Sequence, residues 1–261
     1  MREINFHSLT SLPIELWHKE HFLSNASAFF LRSFNGLYLV TNWHVLSGRH
    51  SRTGQTLHRS GALPTDLRIS FHGQKLGTHV GPISLRLIEH ETPLWQQHRL
   101  GQEVDIACLK IESVPEKAKI YFPTDENAER PLRKRIGANC FVVGHPIKSP
   151  ITQLLPIWKR GTIASEYHFP FQGKACFIVD TTTSEGMSGS PVFLHEAGTV
   201  QFEGDNKLHF TDTQVSEFVG IYSGRLSRNE EGVLDLGFVW KKELLNEMLS
   251  DPSLGDHKII N

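Results

Sequence analysis

Short apolar segments broken by turn residues recur along most of the chain, and this pattern restricts the fold more than any other feature of the sequence. The segments are rich in Val, Ile, Leu and Phe and are punctuated by Gly, Pro, Asn and Asp, which is the signature of short strands. The clearest pair spans 27–33 and 37–41 around Phe34-Asn35-Gly36, where Asn35 and Gly36 are expected to supply the positive φ angles of a tight primed turn. Further strands are predicted at 66–71, 83–88, 105–111, 140–143, 161–165, 175–180, 191–194 and 219–222. Helical periodicity is confined to 241–249, where apolar residues at 244, 245, 248 and 249 form one stripe. An all-β sandwich or barrel with a short C-terminal helix packed against it is the expected class.

Composition narrows the function classes. The 27 Lys and Arg balance 28 Asp and Glu, so the chain has no basic excess with which to wrap nucleic acid or coat an acidic membrane, and neither partner is expected. No window approaches the roughly 18 uncharged apolar residues of a membrane span, and the first twenty residues hold no apolar leader core. The cysteines, Cys108, Cys140 and Cys176, are odd in number and lack a C-x-x-C pair, so neither a disulfide framework nor a zinc site is expected. A cytoplasmic protein without a cofactor fits these features. The tightest histidine pair, His18 and His21, lacks the order and spacing of a zinc peptidase motif, and no metal site is expected there.

Three segments present reactive side chains: Leu39-Val-Thr-Asn-Trp-His44-Val, Val104-Asp105-Ile-Ala-Cys-Leu-Lys, and Glu185-Gly186-Met-Ser188-Gly189-Ser-Pro191-Val. Glycines flank Ser188 at 186 and 189, so the turn can take positive φ and aim the Gly186 and Ser188 N–H groups at one point, as an oxyanion hole requires. A serine hydroxyl needs an imidazole to take its proton and a buried carboxylate to orient that imidazole. All three groups are present, in the order His, Asp, Ser.

On these motifs the chain resembles the trypsin-like, chymotrypsin-fold serine peptidases of the disulfide-free bacterial type. Val142-Val-Gly144-His-Pro146, 161–165 and Val219-Gly220-Ile-Tyr-Ser223-Gly224 resemble further strands of that family. The resemblance implies two six-stranded antiparallel β-barrels with the active site between them. The first, 1–112, would carry His44 and Asp105; the second, 136–261, would carry Ser188 and end in the helix; the polar, proline-bearing stretch 113–135 would join them. It further implies Ser188 as nucleophile, His44 as general base, Asp105 as orienting carboxylate, and Ser223 as a support for Asp105. The substrate pocket would be built from Thr182, Thr183, Tyr222, Ser223 and Arg225; with no acid at its base, cleavage after a small or medium uncharged residue is expected.

Two departures from the family pattern stand out. Asn42-Trp43 replaces the two small residues that usually precede the histidine, and Met187 precedes the nucleophile where activated relatives carry Asp, so ordering of this loop by a newly cut N-terminus is not expected. The polar insertion 48–64 is expected near the cleft as a lid, an exosite or a passive loop. The implied partner is a protein or peptide substrate, and a peptidase in a cytosol calls for narrow specificity or a regulatory protein partner. The competing reading is a catalytically silent peptide-binding module on the same fold.

Overall fold

The computed structural model describes residues 4–123, 130–146, 154–226 and 235–255. The N-terminal half contains β1 (Ser11–His18), β2 (His21–Ser33), β3 (Gly36–Thr41), the short helix α1 (Trp43–Ser47), β4 (Asp66–Gly73), β5 (His79–Arg86), β6 (Ile88–Glu89), β7 (Thr92–Pro93), β8 (Trp95–Gln97), β9 (Ala107–Ile111) and β10 (Ala118–Lys119). The C-terminal half contains β11 (Asn139–Gly144), β12 (Ile157–Ile163), β13 (Cys176–Asp180), β14 (Pro191–Val200), β15 (His209–Arg225), β16 (Leu236–Lys241), α2 (Glu243–Ser250) and β17 (Ser253–Leu254). The apolar stripe at Leu244, Leu245, Met248 and Leu249 is the buried face of α2.

The two halves close differently. In the C-terminal half six strands form a closed ring in the order β11-β12-β13-β16-β15-β14. In the N-terminal half the order β10-β4-β1-β2-β3-β9-β8-β17 is an open sheet, with β5 paired to β4, so the expected second closed barrel is not formed as a continuous ladder among the described residues. The stretch that would close it is taken up by the β6–β7 hairpin, and single bonds from Leu87 N–H to Thr65 O and from Leu94 N–H to Leu87 O, each 2.9 Å, stand in its place. The sheet still wraps one apolar cluster that includes Leu16, Phe30, Leu39, Leu67, Trp95 and Leu109.

The hairpin at 33–36 also differs from the expected turn. Ser33 pairs with Gly36, so the loop is Phe34-Asn35, and of these residues only Gly36 takes a positive φ, +139°. The glycine absorbs the twist that two consecutive left-handed residues would otherwise share.

A second cluster, including Phe29, Val40 and Cys108 from the first half and Val143, Phe193 and Trp240 from the second, forms the seam between them. The chain ends reinforce it. Trp158 Nε1–H donates to Ser8 Oγ at 2.9 Å, and β17 pairs with β8, so each end of the chain packs on the opposite half. The connector is docked as well: Lys134 pairs with the buried Glu217 at 2.7 Å, Lys242 reaches the same carboxylate at 2.8 Å, and Arg130 pairs with Asp205 at 2.8 Å. Part of the connector, 124–129, lies outside the described residues.

His145, at the same seam, is 2% exposed; its Nε2–H donates to Ser11 O at 3.2 Å and its backbone N–H to Ser27 Oγ at 2.9 Å. Burial pushes its pKa down to about 4, with the Ser11 carbonyl opposing the shift and His72 adding to it. The folded protein refuses a proton that the unfolded chain accepts near pH 6.5, so stability falls as pH drops from about 6.5 to about 4 and levels off below. The expected loss is at most about 3 kcal/mol. Urea unfolding at pH 7 and pH 4.5 measures it, and His145→Gln is expected to flatten the dependence; an unchanged slope would assign the acid sensitivity elsewhere.

All three cysteines are free and buried, and burial pushes the thiols of Cys108 and Cys140 up to about 12. No helix among the described residues is long and apolar enough to cross a membrane.

Candidate active site

Strand pairing brings the histidine and aspartate segments together. β3 and β9 pair antiparallel with Thr41 opposite Ala107, so the residues just after β3 and just before β9 lie at the same end of the sheet. Asn42 caps α1 in extended conformation, which places His44 in the helix's first turn; Gly48, at φ +67°, ends the helix. Asp105 lies two residues before β9. His44 Nδ1 then meets Asp105 Oδ2 at 2.7 Å, and the His44 backbone N–H donates to Asp105 Oδ1 at 2.8 Å.

The bulky pair that replaces small residues before His44 braces this arrangement. Asn42 Nδ2 donates to the Asp105 carbonyl at 2.8 Å, and Trp43 Nε1 donates to Gln97 Oε1 at 2.7 Å. Both are buried, so the amide N–H of Asn42 and the indole N–H of Trp43 each need the acceptor they find.

The Asp105 side chain is 3% exposed and that of His44 19%. Burial by itself would raise the carboxyl pKa. The adjacent imidazole charge and the hydrogen bonds from His44 and from the Ser223 hydroxyl outweigh burial and hold it below the usual carboxylate value. Ser223 thus touches Asp105 directly.

The serine turn is held from several sides. Gly186 and Gly189 take φ of +92° and +84°. Met187 is fully buried in the core of the C-terminal ring, in the cluster with Tyr167, Phe177 and Val239, so hydrophobic packing orders the loop. Gly189 N–H donates to Tyr222 O, and Tyr222 N–H to Ser190 O, both at 2.9 Å. Among the described residues no protein acceptor meets the N–H of Gly186 or of Ser188, leaving both for an incoming oxygen.

Ser27, which the sequence marks only as the start of a strand, is central here. This buried β2 residue donates its N–H to Ser188 O at 2.8 Å and its hydroxyl to Gly186 O at 2.8 Å, while its carbonyl accepts from Thr41 Oγ1 at 2.9 Å. It ties the strand that leads to His44 to the turn that carries Ser188. A serine inside a strand pattern carries no local signal of such a role.

The nucleophile candidate does not touch the imidazole in this conformation. Ser188 Oγ–H donates to Ser223 O at 3.1 Å, and among the described residues no hydrogen bond joins it to His44. Two recesses meet at His44 and Ser188. One, of about 390 Å³, runs past Phe22, Leu23 and Glu185; the other, of about 300 Å³, runs past Ser223, Gly224 and Arg225. The insertion 48–64 borders both, through Gly48, Leu57, His58, Ala62 and Pro64 on one side and His50, Ser51, Arg52 and Leu57 on the other.

Of the residues expected to form the substrate pocket, Ser223 and Arg225 line the second recess, and Thr182, Thr183 and Tyr222 line neither. Tyr222 and Thr183 are buried and bonded to each other through their hydroxyls at 2.5 Å, and the Tyr222 ring lies on Gly237, where a side chain would overlap it. Thr182 points outward and is exposed. Tyr222 thus packs into the core of the C-terminal ring.

No group of three or more His, Cys, Asp or Glu among the described residues is placed to hold a metal ion, and His18 Nδ1 instead meets the Leu63 carbonyl at 2.8 Å.

Comparison with known proteins gives one family: the profile described as "Trypsin-like peptidase domain" matches residues 26–201. Among solved structures the chain is similar to the Rv3671c protease of M. tuberculosis in its active form, at 13% identity and a TM-score of 0.50, covering 97% of this chain and 85% of that one. It is also similar to the thermostable serine protease AL20 from an extremophilic microorganism, at 14% identity, TM-score 0.49 and coverage of 91% and 93%. Protease Anisep from Arthrobacter nicotinovorans follows at 12% identity, TM-score 0.48 and coverage of 89% and 90%. No curated protein matches the chain.

Proposed function

The chain belongs to the trypsin-like peptidase domain family, and from that premise we propose that it is a serine endopeptidase acting through an acyl-enzyme on Ser188. The observation that carries the reading is the buried Asp105 carboxylate, bonded to both His44 and Ser223, beside a serine turn whose two amides have no protein acceptor. In the proposed reaction Ser188 Oγ attacks the scissile carbonyl while His44 takes its proton. Asp105 holds Nδ1–H and stabilises the imidazolium, and the N–H groups of Gly186 and Ser188 receive the oxyanion. His44 then protonates the leaving amine, and water reverses the sequence to release the acid. To begin, the Ser188 hydroxyl must leave the Ser223 carbonyl for the imidazole, a rotation about one side-chain bond.

The residue before the cut is small or medium and uncharged in this reading, because Thr182 and Thr183, the positions assigned to the pocket base, carry no charge. The substrate is a protein or peptide, and no cofactor takes part. The three free thiols favour a reducing compartment, and we place the protein in the cytoplasm. A regulatory partner would have a clear target in the Ser188 to Ser223 bond.

That same bond favours a second reading, a peptide-binding module that does no chemistry. Labelling with a fluorophosphonate separates the two. Wild-type protein is expected to be labelled and Ser188→Ala is not; folded wild type that stays unlabelled, or label that survives the substitution, overturns the peptidase reading.

A further inference from the structure

The recess on the Ser223 side of the nucleophile is unevenly charged. It is lined by the apolar Phe238 and the buried Trp240 and by the exposed Lys174 and Arg225. Neither cation has a carboxylate within ion-pair distance among the described residues, and His50 and Arg52 of the insertion border the same space. Among the described residues the one acid lining it, Asp105, is buried and already bonded to His44 and Ser223.

Lys174 is held in place by its own turn. Phe171 and Lys174 exchange N–H···O bonds of 3.0 Å across Gln172 and Gly173, which take φ of +51° and +76°, so a tight primed hairpin fixes the lysine backbone. Its Nζ lies 5.9 Å from the Trp240 ring centroid, close enough for the indole face to restrain it over the recess. Arg225 is set by its pairing with Gly237 of β16, after a bulge between Tyr222 and Gly224. The recess on the other side of Ser188 carries Glu185 instead, so the two arms of the cleft differ in sign.

We propose that the Lys174 and Arg225 recess selects substrates with an acidic side chain two to four residues before the cut. This deepens the peptidase reading and rests on it: the uncharged residue sits at the bond, and the acid beyond it meets the two cations. Each exposed pair adds a modest, salt-screened gain, so the combined preference for Glu over Gln is expected to be about fivefold.

The test uses quenched peptides with Ala before the cut and Glu, Gln or Lys placed singly at each of the three preceding positions. Cleavage is measured with wild-type protein, and binding is measured by anisotropy with Ser188→Ala protein. In the supporting result at least one position shows Glu favoured over Gln and Lys in both assays. The gap shrinks at high salt, and the double variant K174E/R225E reverses the order. Circular dichroism confirms that the variant is folded. Cleavage with no charge preference, or an order unchanged in the double variant, overturns the acidic subsite and leaves the peptidase reading intact. Charge-selective binding without cleavage or labelling overturns the peptidase reading and keeps the subsite. Absence of both binding and cleavage overturns both.

Discussion

Asp105→Asn is expected to lower kcat/KM near neutral pH by about 10⁴-fold while leaving the fold in place. The asparagine matches the aspartate in shape, so its oxygen can still accept from the His44 backbone N–H, while its N–H₂ group takes the Oδ2 position and donates to the Ser223 hydroxyl instead of accepting from it. Its amide cannot reproduce the charge. With an N–H₂ group facing Nδ1, the imidazole is driven to carry its proton on Nε2, where it can no longer accept the Ser188 proton. Since the native carboxyl is held below its usual value, Asp105 stays ionised through the neutral range and the wild-type protein is expected to keep this advantage there. The measurement is kcat/KM from pH 6 to 10 beside the rate of fluorophosphonate labelling. Both are expected to fall together, and a variant with near wild-type rates would remove Asp105 from the mechanism. The same carboxylate contributes to stability: its folded pKa is depressed, so that contribution is present above the unfolded value and is lost as pH falls through the folded one.

Gly189→Ala is expected to have a comparably large effect by a different route. At φ +84° an alanine is strained, and its methyl group would overlap the Ser27 carbonyl oxygen and the Thr41 hydroxyl. Neither obstacle can swing away, because Ser27 and Thr41 are buried in adjacent strands and bonded to each other. The serine turn must therefore retreat from β2, breaking the Ser27 to Ser188 and Ser27 to Gly186 bonds that hold its amides in place. A stability loss of about 3 kcal/mol or more is expected from strain together with the lost buried bonds. Denaturant unfolding reads the stability, and labelling of the folded fraction reads the turn. Should the variant remain both stable and fully reactive, the turn would not depend on its contact with β2. Gly173→Ala is the control: it takes a similar φ with open space around it, so only the backbone strain is expected to register.

The parts legible in the sequence were those written in local pattern. The alternation of apolar runs and turn residues marked a β-rich chain, and the stripe at 244, 245, 248 and 249 marked α2 with its buried face, the longest helix among the described residues. Strand ends were less legible. The predicted 191–194 is only the first part of β14 and 219–222 lies near the end of β15; between them the strands run on to Val200 and back from His209 through a polar hairpin that has no apolar pattern of its own. Closure was not legible at all, because whether a sheet meets itself depends on pairing between distant segments. The ring of the C-terminal half and the open sheet of the N-terminal half arise from strands of similar composition.

The site divides along the same line. His44, Asp105 and Ser188 stood out because each reactive side chain was set in a distinctive short motif, and Met187 showed that this loop would have to be ordered without an ion pair. The sequence by itself determined which groups were available and in what order along the chain. Tertiary structure decided what they do to one another. It chose Ser27 as the link between the halves, turned Asn42 and Trp43 into braces, buried Tyr222 in the core of the C-terminal ring, rested the Ser188 hydroxyl on Ser223 and left Lys174 and Arg225 facing one arm of the cleft. The physical reason is range. Propensity and turn chemistry act over a few residues, while the bond between Ser27 and Gly186 joins positions 159 residues apart and exists only once the two halves share a buried seam.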